Sequence, residues 1–443
     1  MATDISRRQF LGRGTAIGTG LLIAGPLQAF AARAAAGAPL DAEGYGALVD
    51  MGELSLPRGF RFRIISSVGE TMSDGNPAPT SYDGMAAFPG PGNATVLIRN
   101  HENRRSTGDT GEIDVIVPAD KRYDPDPDFN AGNTKLMVTP DRRVIRSFAV
   151  LGGTTTNCAG GPMPWGSWIT CEEVFQDGER PHGFVFEVDS RATGPVDPVP
   201  IREAGRFVHE AVAWLGGVLY LTEDIRGDAA MYRFLPNRQP SAPGDLAASG
   251  GTLQALVITG MPAVDTNVGF PVGEPFDIEW VTIDEPDPPS NTVRQEAHSK
   301  GAALFNRPEG SWAANGRVYF DCTEGGGTPG FGQVWEVDPV AQQITLIFES
   351  PGPEQLKNPD NLTVAPTGDL LLCEDSDPPQ FIRGLTPDGH IFDFARANRN
   401  ETEFAGATFS PDGRTLFVNQ FGNGDPAVTY AIWGPWHRRG EPG

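Results

Sequence analysis

The sequence predicts an all-β fold, a six-bladed β-propeller with seven blades as the alternative. Two observations carry this. The 443 residues include 55 glycines and 40 prolines, residues that break helices and serve tight turns. The same short strand grammar also recurs six times along the chain, and such recurrence at blade-sized intervals marks a propeller.

The six segments are Ala94–Glu102, Ser167–Glu173, Val218–Asp224, Arg317–Glu324, Asp369–Asp375 and Arg414–Gln420. Each runs from a small or polar cluster through an apolar-alternating strand to an acidic or amide residue. Pro366-Thr367-Gly368-Asp369 and Pro411-Asp412-Gly413-Arg414 read as hairpin connectors, with glycine supplying the positive φ of the turn. Residues 141–151, 334–348 and 381–394 read as strand pairs with a turn. Residues 225–293 carry the Pro-rich run Glu285-Pro286-Asp287-Pro288-Pro289 and read as an insertion. No interior linker interrupts the chain, so residues 37–443 are expected to form one domain.

Residues 1–31 read as a leader. Ser6-Arg7-Arg8-Gln9-Phe10-Leu11 is a twin-arginine pattern followed by a Gly/Ala-rich apolar stretch, with cleavage after Ala31 or as late as residue 36. That route exports folded proteins, so a periplasmic or extracellular enzyme is expected, free of the membrane once the leader is removed. The formal net charge of −23, with no Lys/Arg stripe, argues against nucleic-acid and anionic-membrane partners. A propeller closes on itself, so a monomer is expected.

In a propeller the first strand of each blade lines the channel, and residues at one end of those strands converge. Asp83, Asn157-Cys158, His209-Glu210, Arg294-Gln295-Glu296 and Asp360-Asn361 enter strands, while Glu102, Glu172, Glu173, Glu223, Asp224, Glu374 and Asp375 leave them. One such acid is ordinarily a solvated loop residue. Their recurrence in phase instead predicts a ring of oxygen ligands suited to calcium and similar cations. The cysteines at 158, 171, 322 and 373 leave two readings open. Spacing favours disulfides, Cys158–Cys171 or Cys322–Cys373; a thiolate ligand for a transition metal is the other.

The run from Asn157 to Glu173 (NCAGGPMPWGSWITCEE) resembles the signature of the PhoX-type alkaline phosphatases. So do Arg99-Asn100-His101-Glu102, Asn130-Ala131-Gly132-Asn133-Thr134, His209-Glu210-Ala211, Asn358-Pro359-Asp360-Asn361 and Cys373-Glu374-Asp375. The likeness extends from about Tyr82 to Trp436. It implies a six-bladed propeller, twin-arginine export, and a cluster of ferric iron and calcium at the channel mouth. It makes Cys158 an iron ligand and Glu210 an iron or calcium ligand. The family's Arg-x-Glu pair maps to Arg294, facing phosphate, and Glu296, on a metal. The run Asn419-Gln420-Phe421-Gly422-Asn423-Gly424 departs from the pattern by lacking a Gln-x-Pro-Gly turn.

The metal ligands expected are therefore Cys158, Glu210, Glu296, Glu102, Glu172, Glu173, Glu223, Asp360, Asn361 and Glu374. The expected reaction is hydrolysis of small phosphate monoesters with a metal-bound oxygen as nucleophile, because no Ser-His-acid triad emerges. The rivals are a calcium-dependent propeller lactonase or arylesterase, which would need no Cys158, and a non-catalytic metal-binding propeller.

Overall fold

The computed structural model describes residues 44–105, 111–422 and 426–437; the leader lies outside them. The regular structure of the described chain is nearly all strand, joined by antiparallel pairing into a propeller-like ring of sheets. Six strands form its inner wall: Tyr82–Pro89, Asn157–Met163, His209–Leu215, Pro308–Ala314, Pro359–Val364 and Phe404–Phe409. Each packs on the next, and the last returns to the first. No described helix is long and apolar enough to cross a membrane.

The expected count of six or seven separate blades does not appear sheet for sheet. Among the described residues four sheets have four or more strands, one has three and one has two. The physical reason lies in residues 225–293, read as an insertion. Met231–Pro236 and Gly251–Ile258 extend the sheet that begins at His209–Leu215. Strand Pro275–Thr282 then pairs with Gly251–Ile258 on one edge and Gln343–Glu349 on the other, fusing two units into nine strands. Covering both edges removes two exposed strand borders. Residues 334–348 and 381–394 do form strand pairs, but 141–151 does not: its first three residues end the turn at 139–143, and the rest run in a single strand, Val144–Thr154.

The ring closes by an exchange of termini. Arg61–Ser67, from the start of the described chain, pairs with Val428–Trp433 near its end. Tyr45, Phe60, Phe394 and Trp436 lock this junction in edge-to-face and tilted contacts, with centroids 4.8–5.9 Å apart. Such aromatic pairs add about 0.5–1.5 kcal/mol each beyond their buried area.

One local feature positions the functional side chains. The pairing between each inner strand and its neighbour slips near the strand's start: between Tyr82 and Met85, Asn157 and Gly160, His209 and Val212, Pro308 and Ser311, Pro359 and Asn361, Ala405 and Thr408. A bulge places an extra residue on one strand and re-aims its side chain. The second residue of the first five inner strands is Asp83, Cys158, Glu210, Glu309 and Asp360, and each falls at a bulge.

A bulge also strands backbone carbonyls, which must be paired when buried. Side chains from beside the preceding inner strand cap them. Asn100 Nδ2 donates to the carbonyls of Cys158 (2.7 Å) and Ala159 (2.8 Å), Thr222 Oγ1 to Glu309 (2.6 Å), Thr323 Oγ1 to Pro359 (2.7 Å), and Asn419 Nδ2 to Asp83 (2.5 Å). Small residues make room for this close approach. A Cβ on Gly84 would stand 2.6 Å from the Cα of Ala159, and one on Gly310 would stand 2.8 Å from that of Asn361.

Candidate metal centre

The bulges deliver their side chains to a cavity of about 940 Å3. Among the described residues its lining includes ten carboxylates (83, 102, 112, 173, 210, 309, 360, 375, 401 and 403) and two guanidiniums, Arg104 and Arg307. So unbalanced a set repels any anion until cations enter it. Within it three groups each bring their donor atoms within 4.8 Å of one another: Cys158, Glu173 and Glu210; Glu210, Glu309 and Asp360; Asp360, Asp375 and Glu403. Glu210 and Asp360 each belong to two groups, so the three form one continuous row.

Burial and mutual repulsion govern the ionisation of this row. Burial, then Glu173 and Asp360, push Glu210 well above the ordinary carboxyl range, and burial, then Asp224 and Asp360, do the same to Glu309. Burial lifts Asp360 to about 7. Burial, then Glu102 and Asp360, raise Asp83, and burial, then Asp375, raise Glu403. The thiol of Cys158 is also raised, by burial and then by Glu210; its Sγ donates to the carbonyls of His209 (3.3 Å) and Glu210 (3.5 Å). Buried acids facing one another ionise together only when a cation neutralises them. The donor set fits metal ions: one group combines sulfur with oxygen, and two offer oxygen alone.

The expected residues divide by place. Cys158, Glu173, Glu210 and Asp360 join the row. Glu102 lines the same cavity, buried, and accepts two bonds from Arg104 at 2.9 and 3.1 Å. Glu172 faces the other way, accepting from His182 Nδ1 (2.6 Å) and from the amides of Thr155, Gly183 and Phe184. Glu223 accepts from Tyr232 Oη (2.9 Å), and Glu374 accepts from Arg383 Nε (2.8 Å) and the Lys357 amide (2.9 Å). None of these three lines the cavity, nor does Asn361. Glu172 ends its strand one residue before Glu173 and Glu374 one before Asp375, so strand alternation sends each to the opposite side.

Arg294 and Glu296 also stand outside the cavity, on the short helix Val293–Ser299. Arg294 pairs with Asp228 (3.4 Å) and Glu223 (3.7 Å), and Glu296 with Lys300 (2.6 Å). The same Arg-x-Glu spacing recurs at Arg307-Pro308-Glu309, and this copy enters the cavity. Arg307 is held by Asp224 at 2.9 and 2.8 Å and by Glu309 at 2.6 Å. Sequence reasoning missed Glu309, Arg307 and Glu403. Glu309 carried a signal, an acid followed by glycine at a strand start, as in Asp83-Gly84. The disulfides favoured by spacing do not form: all four cysteines are free and buried.

A ring of antiparallel sheets whose bulged inner strands aim a thiol and several acids at one cavity defines a metal-binding enzyme of propeller-like build. Residues 43–424 match the family described as alkaline phosphatase PhoX. The chain belongs to that family of exported, metal-dependent phosphatases and is itself a phosphatase, acting on phosphoesters. Its fold matches Pseudomonas fluorescens PhoX in complex with vanadate, a transition state analogue, with a TM-score of 0.67 at 18% identity, over 89% of this chain and 98% of that one. A streptogramin B lyase (TM-score 0.43, 10% identity, 84% and 97% covered) and a gluconolactonase from Xanthomonas campestris (0.38, 12%, 84% and 99%) are more remote. No curated protein matches the sequence.

Proposed function

We propose that this chain hydrolyses small phosphate monoesters at a multinuclear iron and calcium centre seated on the row from Cys158 to Glu403. The observation that carries the proposal is the sharing of Glu210 and Asp360 between adjoining ligand groups, which suits several ions held side by side. Iron belongs with Cys158, Glu173 and Glu210, because ferric iron accepts thiolate as well as carboxylate. Calcium belongs with the oxygen-only groups, Glu210–Glu309–Asp360 and Asp360–Asp375–Glu403, since it takes hard oxygen ligands. When bound, such a centre supplies positive charge for the phosphate oxygens and lowers the pKa of water.

The chain's own residues do the positioning. Arg307 is fixed through Nε and Nη2 by Asp224 and Glu309, which leaves Nη1 of its guanidinium to donate to a phosphate oxygen. Arg104, held to Glu102, offers a second cation at the rim. The related Pseudomonas fluorescens structure holds vanadate, a transition state analogue, and phosphoester hydrolysis at this cavity is in keeping with that. The ring counts as six blades when read by its inner strands, a reading supported by their closed succession. Export by the twin-arginine route and a monomeric state complete the proposal.

Metal content by mass spectrometry, with p-nitrophenyl phosphate hydrolysis, tests it on natively exported protein. Iron together with calcium is expected, with activity lost on chelation and in Cys158→Ala. Calcium alone with lactone turnover would overturn it.

A further inference from the structure

Beside the reaction cavity lies another, of about 520 Å3, whose lining includes Arg226, Asn267, Asn306, Glu324, Phe331 and Asn358. Its volume falls within the range of small-molecule sites. Residues lining the two cavities adjoin one another. Asn306 immediately precedes Arg307, Asn358 stands two residues before Asp360, and Glu324 lies 4.0 Å from Arg307. Through the same oxygen, Oε1, Glu324 pairs with Arg226 at 2.6 Å. A phosphate gripped by Arg307 would therefore have its ester oxygen next to this space.

We propose, resting on the phosphatase reading above, that this second cavity receives the leaving alcohol of the ester, and that the alcohol it fits is neutral and rich in hydroxyls, as a sugar, polyol or nucleoside is. Charge decides against a second anion: Arg226, the one arginine among the described residues of this lining, is already neutralised by Glu324. The amides, carboxylate and guanidinium supply both donors and acceptors, as hydroxyl groups require. They are also held in place. Asn306 Nδ2 donates to the Glu324 carbonyl (2.9 Å) and Asn267 Oδ1 (3.4 Å), and its Oδ1 accepts from the Gly227 amide (2.8 Å). Asn358 Nδ2 donates to the Thr323 carbonyl (2.9 Å), and its own amide donates to the Phe331 carbonyl (2.9 Å). The half-buried ring of Phe331 offers a face for the C–H side of a sugar or for a base. In the reaction water adds to phosphorus, the P–O bond to the alcohol breaks, and the alcohol departs with a proton into this cavity.

The test measures kcat and KM of the metal-loaded enzyme for a hexose 6-phosphate, a hexose bisphosphate and methyl phosphate, in wild type, Phe331→Ala and Arg226→Ala. The proposal expects KM for the hexose ester to rise about tenfold in Phe331→Ala, with kcat and both methyl phosphate constants unchanged, because a group that binds only the leaving portion acts on ground and transition states alike. Unchanged methyl phosphate kinetics also show that the variants fold. Parallel changes for both esters, or no change for either, would overturn the proposal. So would a preference for a hexose bisphosphate that disappears in Arg226→Ala, which would make the cavity an anion site. Failure of the phosphatase reading shows separately, as no turnover of either ester by wild type, and overturns both.

Discussion

Two buried acidic regions of this molecule lie close together and obey opposite rules. Around Glu172 the acids are satisfied by hydrogen bonds from a histidine and from backbone amides. His182 bridges Glu172 at 2.6 Å and Asp124 at 3.3 Å, and its ring stacks on Phe129 with centroids 4.0 Å apart. Burial disfavours the imidazolium, yet the two acids outweigh it and raise His182 above its ordinary range. One residue further on, Glu173 joins Glu210 and Cys158, where acid faces acid and burial drives ionisation the wrong way. A satisfied network stabilises a fold; an unsatisfied one of matched geometry is a receptor for cations.

Four substitutions would break or sharpen that contrast. Glu210→Ala removes a donor shared by two groups, and loss of phosphatase activity well beyond about 100-fold is expected, because disturbing even the outer contacts of a metal site costs 10–100-fold. Bound metal, measured by mass spectrometry, should fall with it. Glu172→Ala should do the reverse: metal content is retained, but unfolding in denaturant should show a loss of about 3–5 kcal/mol, the usual effect of breaking a buried pair.

A smaller effect is expected at Glu223. Burial, only partly offset by Arg294 and Tyr232, raises it from 4.5 to about 7. The folded state therefore holds this proton more tightly than the unfolded chain, and stability is lost as pH rises from about 4.5 to about 7. In Glu223→Gln the decline over that window should be shallower by about 1–3 kcal/mol, as read from denaturation at several pH values. The smallest effect belongs to Glu296→Ala. Its carboxylate meets Lys300 and the Asp284 and Glu285 amides at the surface, so kcat should not change and stability should fall by about 1 kcal/mol or less. A large loss of activity there would return the Arg-x-Glu role to Arg294 and Glu296.

The propeller-like ring was legible because its hairpins repeat in phase, and phase survives uneven spacing. The fusion through Pro275–Thr282 was not, since a strand that pairs on both edges has no local signature distinguishing it from one that pairs on a single edge. At the site, Cys158, Glu210 and Asp360 were readable as residues entering strands. Glu172 and Glu223 read the same way as Glu173 and Asp224, because without the pairing register a sequence cannot say which of two adjacent acids at a strand end faces the site. Glu403 escaped because it precedes its strand, where an acid ordinarily meets solvent. The Arg-x-Glu motif was assigned to 294–296 rather than 307–309 because three residues fix no position in a ring.

The closure of the ring by Arg61–Ser67 on Val428–Trp433 also dictates an order of events during synthesis. An early strand must wait, unpartnered, until almost the entire polypeptide has left the ribosome. The ligand row draws on residues from Cys158 to Glu403, so its geometry cannot exist on a nascent chain. Truncation near the C-terminus would thus not trim a blade but leave the circle open and the cation site unmade.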